Sequence, residues 1–561
     1  MLEEEAIKIL SFLNIERIEE SLETPPQPEF GDLASTISFQ LAKKEKRNPK
    51  EIAEELVKKI KIPEKSLVKK VEAKEGYINF FFDWEKISEK VLKEIQKGIE
   101  FDFGKGKGVM VEYSQPNPVH PMHVGHARST FLGDTLANIL EFLGYKVIRA
   151  NYMNNVGLQV AKLVTAYLLW GEGKKPEGKP DLWLWGFYVK FHEEASKNHE
   201  LEEKAREILR KYEIEKDKET IKIWNRIVEW CVRGFEETYK KLGIKFDVYF
   251  YESDARELGK KLVEDAVKKG IASKSPDGAI FADLEKYGLP KVVILRSDGT
   301  GLYITSDLGL TKQKFERYKI EKAFWVVSSE QNLYFKQLFK ILELLSFSWA
   351  KNCYHFSFEL VRLQEGRMSS REGKAVMLDE VIKKLTEMAF QEVERRNPKL
   401  SEKEKLKLAE IIGIGALKYA IVKVEPNNTI VFDWKRMLSL HGDTGPYLQY
   451  AHTRCDGILK KANKWKPTYK TEKLTKEEKE LIKLLLKFQK VLQDSSENLR
   501  PNYVCNYAFD LATAFDKFYE VCPVLKADKK LRNFRLTLVD STKKLLKKCL
   551  DLIGMEAPEK M

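Results

Sequence analysis

The turn at residues 123–126 reads HVGH, so that His123 and His126 flank Gly125, and this spacing suits an anion. Apolar, β-favouring residues at 109–111 and 113 precede the turn, three prolines then oppose helix, and apolar residues afterwards recur at helical spacing. The pattern predicts a strand, a turn and the start of a helix. Backbone N–H groups, the positive end of the helix dipole and two imidazoles would then converge on one ligand. Phosphate is the ligand that this chemistry favours.

A histidine pair beside a glycine can also simply cap a helix, but a second motif favours the phosphate interpretation. Residues 366–374 read GRMSSREGK, a glycine-bounded loop that could close over a triphosphate through Arg367, Ser369, Ser370 and Arg371. In order and separation, the two motifs resemble the HIGH and KMSKS elements of class I aminoacyl-tRNA synthetases.

Composition sets the limits for the rest of the chain. With 561 residues, 43% hydrophobic and 33% charged, it can form several soluble globular domains. The net charge of +13 points to an acidic partner such as nucleic acid, although lysine-rich helices can be basic for solubility alone. Six cysteines without CxxC spacing predict neither a disulfide framework nor a metal site. No leader or membrane-spanning run is recognisable, which predicts a cytoplasmic protein without a membrane partner.

Periodicity divides the chain into three predicted domains. Residues 1–105 combine helical and β-rich stretches and predict a small α+β domain. Residues 106–380 predict a Rossmann-like parallel-sheet domain with a helical insertion at about 160–240, and helix leading from Glu359 into the GRMSSREGK loop. Residues 381–561 predict an antiparallel α-helix bundle.

Two further strings narrow the resemblance. Residues 441–454, HGDTGPYLQYAHTR, and residues 25–34, PPQPEFGDLA, closely resemble arginyl-tRNA synthetases, and the likeness runs nearly end to end. It implies activation of L-arginine by ATP with Mg²⁺, then transfer to the terminal adenosine of tRNA(Arg), initially on the 2′-hydroxyl. It also implies that bound tRNA precedes activation. We expect a monomer.

The resemblance assigns the phosphate chemistry to both motifs. His123 and His126 would donate to the α-phosphate, and Gly125 would let the adenine approach the backbone. Arg367, Ser369, Ser370 and Arg371 would form the closing loop, although both lysines of KMSKS are replaced here. The cation that meets the γ-phosphate stays open between Arg371, Lys374 and a protonated His120, with Arg371 favoured because guanidinium is always charged.

Arginine selection is predicted at Tyr303 and Asp307, which lie four residues apart and would share a helix face. A carboxylate matches the planar fork of a guanidinium group with two parallel hydrogen bonds. A tyrosine and aspartate at this spacing can equally be an ordinary helix surface, but the resemblance implies that they bind the substrate side chain. It implies further arginine contacts at Glu112, Asn117, Glu252 and Gln331.

Aromatic residues are the candidates for tRNA contact. Tyr77 could stack on a base while Asn79 hydrogen-bonds its edge. Tyr447 with Tyr450, and Phe515 with Tyr519, form two pairs at helical spacing near where the resemblance puts the anticodon loop. Burial in a core is the alternative for each ring, most of all for Phe515.

The sequence leaves two alternative functions to be considered. A class I enzyme for cysteine should carry a zinc-binding cysteine near the HIGH motif, which is missing here. A tRNA-binding paralogue without catalysis is opposed by intact His123, Gly125 and His126, and mildly favoured by the altered KMSKS sequence.

Overall fold

The computed structural model describes residues 1–13, 15, 17–362, 376–431 and 433–561. They form two compact units. The first contains residues 1–99, 455–487 and 513–544, and the second contains residues 100–454, 488–512 and 545–561.

The N-terminal part of the first unit is a helix-covered antiparallel sheet with strand order β1-β2-β4-β3. Its helices begin at recognisable caps: the Asn48 side chain accepts from Lys50 N before Pro49, and that of Asp83 accepts from Lys86 N. The elements are α1 Leu2–Ser11, β1 Leu22–Glu23, β2 Leu33–Ser35, α2 Ile37–Glu45, α3 Pro49–Lys59, β3 Val68–Lys74, β4 Tyr77–Phe82 and α4 Trp84–Lys97.

A five-stranded parallel sheet with order β12-β11-β5-β6-β7 forms the centre of the second unit. The chain leaves β5 toward β6 on one side and later returns to β11 on the other, so β5 lies at the topological switch point, where such sheets bind ligands. Its elements to this point are β5 Gly108–Glu112, α5 Val124–Phe142, β6 Lys146–Met153, α6 Leu158–Trp170, α7 Pro180–Ala195, α8 Glu200–Glu213, α9 Lys218–Leu242 and β7 Val248–Tyr251.

The second half of this domain adds a three-stranded antiparallel sheet, β10-β9-β8, before the parallel sheet is completed. Its apolar core joins the parallel strands to the helices that follow them and includes Phe250, Leu308 and Trp325. The elements are α10 Arg256–Lys268, β8 Ala272–Lys274, β9 Ile280–Ala282, β10 Val292–Leu295, α11 Tyr303–Tyr318, β11 Lys322–Ser328, α12 Asn332–Leu344 and β12 Cys353–Phe358.

The remaining described chain is mostly helical, apart from the short strands β13 and β14, which pair in parallel. The elements are β13 Val361–Arg362, α13 Leu378–Arg396, α14 Glu402–Val422, β14 Ile430–Val431, α15 Trp434–Met437, α16 Gly445–Ala462, α17 Lys476–Glu497, α18 Asn502–Val521 and α19 Lys529–Ile553. The predicted fold classes are therefore confirmed: an N-terminal region of helices and strands, a parallel-sheet domain and a C-terminal helical region. Helix at Glu359 was a wrong prediction, because β13 pairs with β14 immediately beyond it.

Candidate active site

The HVGH turn connects the carboxyl end of β5 to the first turn of α5, where His123 is the N-cap. The backbone N–H of Gly125 donates to Nδ1 of His123, and the backbone N–H of His123 donates to Nδ1 of His126, each over 3.1 Å. Since Nδ1 accepts a hydrogen bond in both rings, the single N–H of each neutral imidazole lies on Nε2. The turn therefore presents two Nε2–H donors whose tautomers are set by the adjacent backbone.

Both imidazoles in this turn are neutral. Burial lowers the pKa of His123 to about 3, assisted by repulsion from His120. Burial also holds the pKa of His126 well below its usual value, with His123 and His120 adding repulsion. The two ring centroids are 3.8 Å apart, so one charged ring would repel the other strongly. The turn offers hydrogen-bond donors to an anion without carrying a charge of its own.

Position 125 must be glycine because the His123 ring lies close to its Cα. A Cβ there would lie 2.8 Å from Cε1 and 2.9 Å from Nδ1 of His123. A larger residue would push away the imidazole that caps the helix.

His120 has the opposite tautomer. Its Nδ1 lies 3.0 Å from the carbonyl oxygen of Pro121, which can only accept, so Nδ1 carries the proton and Nε2 carries a lone pair. Burial lowers the pKa of His120. Burial therefore disfavours the protonated form of His120, which is the form that could act as the γ-phosphate cation.

The residues predicted to close over the triphosphate, Arg367, Ser369, Ser370 and Arg371, lie outside the described residues, as does Lys374. The described chain resumes beside the HVGH turn. Val124 N donates to Val376 O over 3.2 Å, and Leu378 N donates to Met122 O over 2.8 Å.

Asp307 lies one turn into α11, which packs unusually closely against α10. A Cβ on Gly259 would lie 1.9 Å from the carbonyl oxygen of Thr305, and one on Gly309 would lie 2.6 Å from Gly259 N. Two glycines thus allow the helix contact that places Asp307 beside the parallel sheet. Its Oδ2 accepts a hydrogen bond from the hydroxyl of Tyr334 at the start of α12.

The pKa of Asp307 is raised to about 7, mainly by burial; Tyr334 and Lys314 oppose this rise, and nearby Glu112 and Glu252 contribute to it. These influences show that the carboxylates predicted from three separate stretches of sequence converge. Burial also raises the pKa of Glu252, although Arg256 opposes that shift. The result is a buried acidic pocket, so called because it contains the carboxyl groups of Glu112, Glu252 and Asp307.

Glu112 and Glu252 each have cationic partners from the same chain. Oε2 of Glu112 lies 2.5 Å from Nζ of Lys314, and its Oε1 accepts from Gln115 Nε2 over 3.2 Å. Oε1 of Glu252 lies 3.3 Å from Arg256, whose other amino group lies 2.9 Å from Glu213. Among the described residues, Asp307 has no such ion pair.

Tyr303 joins the acidic pocket through an amide. With the Asn154 side chain oriented to suit both neighbours, its nitrogen donates to Glu252 Oε2 over 2.7 Å and its oxygen accepts from Tyr303 over 3.2 Å. Tyr303 itself is 58% exposed.

Asn117 and Gln331, two further predicted arginine contacts, are exposed. No described contact links either residue to the three carboxylates.

Sequence reasoning missed several residues of this pocket, namely Tyr152, Asn154, Arg256, Lys314 and Tyr334. Only one had a usable signal. Lys314 lies seven residues after Asp307, two helical turns along, so a helical interpretation places both on one face. Tyr334 belongs to a different helix and reaches Asp307 only through the tertiary fold.

The predicted tRNA-contact residues differ in accessibility. Tyr77 is half-buried, with its ring edge-on to Phe39 at 4.9 Å between centroids. On α16, Tyr447 is half-buried and Tyr450 is 38% exposed. Tyr519 is half-buried and stacks at 6.2 Å on Phe515.

Two of these predictions need correction. Asn79 is only 3% exposed and lies on β4, an inner strand of its sheet, so its amide has little surface to offer to a base. Phe515 is fully buried and belongs to the apolar interior of its own unit. The core alternative is the correct one for this ring.

The described residues show neither a candidate metal cluster nor a membrane-crossing helix. They contain no group of three or more His, Cys, Asp or Glu side chains that could hold a metal ion. None of their helices is both long enough and apolar enough to cross a membrane.

Comparison with known proteins covers the whole chain. The family model of the class I (R) tRNA synthetase catalytic domain matches residues 86–434, flanked by the arginyl tRNA synthetase N-terminal domain at 2–82 and the DALR anticodon-binding domain at 448–561. The arginine–tRNA ligase of Halothermothrix orenii is 40% identical over 98% of this chain and 97% of that protein. That of Clostridium perfringens is 39% identical over 99% of both.

A solved structure agrees with these sequence matches. The arginyl-tRNA synthetase of Thermus thermophilus superimposes with a TM-score of 0.84 at 28% identity, over 100% of this chain and 99% of that one. The chain therefore belongs to the arginyl-tRNA synthetase family of class I aminoacyl-tRNA synthetases.

Proposed function

We propose that this chain is an arginine–tRNA ligase, which condenses L-arginine with ATP to arginyl-adenylate and pyrophosphate, then transfers the arginyl group to the 3′ adenosine of tRNA(Arg). One observation supports this most directly. A neutral donor turn and a buried acidic pocket both adjoin β5, which ends at Glu112. An activated amino acid needs both, because its phosphate is anionic and its side chain here is cationic.

The amino acid is selected by the carboxylate that lacks an internal cation. Lys314 is paired with Glu112, and Arg256 is paired with Glu252, whereas the described residues give Asp307 only a tyrosine hydroxyl. A substrate guanidinium supplies the missing positive charge and two parallel N–H donors. Lysine would supply the charge without the planar fork, which favours arginine. Tyr303 lies at the exposed edge of this pocket, while Asn117 and Gln331 are proposed contacts for the rest of the amino acid.

At the phosphate end, the Nε2–H groups of His123 and His126 donate to charge that develops on the α-phosphate. Preorganised donors of this kind stabilise a transition state because they need no rearrangement at the moment of reaction. Gly125 keeps the backbone open to adenine. Arg367, Ser369, Ser370 and Arg371 are proposed to contact the leaving pyrophosphate, and Mg²⁺ to accompany ATP as part of the substrate.

Recognition of tRNA is proposed at both ends of the chain. Residues 1–105 and 381–561 would contact the tRNA, and 106–380 would perform the chemistry. Tyr450 is the best-exposed of the candidate rings, with Tyr77, Tyr447 and Tyr519 half-buried. The net charge of +13 suits a polyanionic partner. We further propose initial transfer to the 2′-hydroxyl, activation only with tRNA bound, and action as a cytoplasmic monomer.

Pyrophosphate exchange with each of the twenty amino acids, with and without tRNA, tests this function. Of the twenty amino acids, only arginine should support exchange, and it should do so only when tRNA is present. Exchange with cysteine would favour the cysteine enzyme, and binding of tRNA without any exchange would favour a non-catalytic paralogue.

The tRNA contact has its own test. Tyr447→Ala should weaken tRNA binding more than arginine binding, because only the ring that could stack on a base is removed. Tyr447→Phe, which keeps that ring, is the matched control. Equal losses of tRNA and arginine affinity in Tyr447→Ala would contradict an anticodon role.

A further inference from the structure

Lys314 is a buried lysine that the proposed reaction does not use. Its residue is 1% exposed, and its Nζ lies 5.1 Å from the ring centroid of Phe250 and 5.0 Å from that of Trp325. Its ion-pair partner among the described residues is Glu112, at 2.5 Å. A buried ammonium group is costly unless it is paired, and so is a buried carboxylate. Each of these two charges therefore compensates the other.

The surroundings of this ion pair show what it prevents. Charged or titratable side chains reach the pocket from several elements: Glu112 from β5, Tyr152 from β6, Glu213 from α8, Glu252 from the turn after β7, Arg256 from α10, Tyr303, Asp307 and Lys314 from α11, Tyr334 from α12, and Cys353 from β12. Without Lys314, Glu112 and Asp307 would be two buried carboxylates without a cation. Two such groups cannot both be ionised easily, so they would retain a proton between them.

We propose that Lys314 is a positioning residue for arginine selection, which pairs with Glu112 so that Asp307 is the carboxylate left to receive the substrate guanidinium. This inference rests on the proposed function. It adds an internal counter-ion to a pocket otherwise described by its carboxylates. A proton retained by the carboxylates would compete with the guanidinium, and Lys314 reduces that competition.

The inference has a direct consequence for pH. Arginine binds to ionised Asp307, whose pKa is about 7 in the empty pocket. Affinity should therefore be complete above pH 7 and fall as pH drops below it, by about tenfold for each pH unit. Lys314 lowers the proton affinity of Asp307, so its removal should move the midpoint of this profile to higher pH.

Calorimetric titration of the full chain with L-arginine between pH 5.5 and 8.5, in two buffers of different ionisation enthalpy, measures both affinity and proton release. Lys314→Arg should keep the wild-type midpoint. Lys314→Met should raise the midpoint by roughly one unit, which lowers the ionised fraction of Asp307 at pH 7 from about one half to about one tenth and so weakens binding about fivefold. Its affinity should approach that of the wild type at pH 8.5. An unchanged midpoint in Lys314→Met would overturn the inference.

Glu112→Gln gives an independent test if Lys314→Met does not fold. This near-isosteric change leaves the ammonium group unpaired beside Asp307, so the midpoint should move to lower pH. The double variant Glu112→Gln/Lys314→Met should return it to near the wild-type value, because both charges are gone. A midpoint in Glu112→Gln that stays in place or moves to higher pH would overturn the inference.

The outcomes also separate this inference from the proposed function. Absence of arginine binding by the wild-type chain at every pH would overturn both. Wild-type binding together with a Lys314→Met profile identical to it would leave the proposed function intact and remove only the role of Lys314.

Discussion

The HVGH turn and the acidic pocket, both next to β5, prepare for opposite charges in different ways. The turn meets an anion with two imidazoles that burial keeps neutral. The pocket offers a proposed cation three buried carboxyl groups, two of which pair with Lys314 and Arg256, while burial raises the pKa of the third, Asp307. The turn uses dipoles held by neighbouring backbone amides, whereas the pocket uses full charges held by distant residues.

This difference has a functional meaning. A dipolar site is insensitive to pH and does not repel itself when empty. A site of several carboxylates binds its ligand more strongly, but it holds a proton when empty and must release it. The predicted ligands differ in the same sense, since ATP brings its own counter-ions and a guanidinium does not.

The largest expected effect is at the charged site. Asp307→Asn should weaken arginine binding by at least about a hundredfold, because a neutral amide cannot balance a buried guanidinium. Binding of an ATP analogue should survive, since the HVGH turn does not depend on this residue. Equilibrium binding of both ligands checks the prediction, with the exposed Asp254→Asn as control. Normal arginine affinity in Asp307→Asn would remove this residue from the pocket.

A similarly large effect, but on rate, is expected at the neutral site. His126→Ala should lower the rate of adenylate formation about 10²- to 10³-fold, the usual cost of one missing preorganised donor. Arginine affinity should stay unchanged. His126→Gln, which retains an N–H donor, should lose less in single-turnover assays. A loss of arginine affinity equal to the loss of rate would contradict the separation of the two sites.

Acidification should sharpen the contrast further. Between pH 7 and 5, arginine affinity should fall about tenfold for each unit, because Asp307 takes up a proton through its pKa of about 7. Over the same range His123 should stay neutral, because its pKa is about 3. Calorimetry measures the first property and NMR of labelled histidine nitrogens measures the second. Protonation of His123 near pH 6 would contradict the neutral turn.

The smallest expected effect concerns the hydroxyl that holds Asp307. Tyr334→Phe should weaken arginine binding roughly fivefold, corresponding to about 1 kcal/mol for one hydrogen bond. The midpoint of the pH profile should also rise, because the Tyr334 hydrogen bond lowers the pKa of Asp307. The control is Tyr318→Phe, at the last residue of α11, the helix that carries Asp307. A midpoint that falls would show that the hydroxyl does not stabilise the carboxylate.

The same contrast explains how much could be predicted from the sequence. The strand, turn and helix around His123 follow from residues that are neighbours in the chain, and the structure has them where the pattern predicts. The convergence of Glu112, Glu252 and Asp307 was predicted only through resemblance to a family. No periodicity connects three stretches at positions 112, 252 and 307, which are 140 and 55 residues apart.

Accessibility shows the same limit. The pattern in GYINF predicts a strand correctly, but it does not reveal that the strand lies inside its sheet, which buries Asn79. Phe515 and Tyr519 share helical spacing and similar chemistry. Packing alone leaves the first fully buried and the second half-exposed.

The amino-acid sequence by itself determined the fold classes and the strand, turn and helix at HVGH, because local hydrogen bonds, caps and periodicity act between residues close in the chain. Its motifs also identified the family. Tertiary structure alone decided that Tyr334 holds Asp307, that Lys314 neutralises Glu112 and that the histidines are uncharged. The physical reason is burial. Loss of water changes the cost of every charge, and only the packed chain determines which groups lose it and which partners replace it.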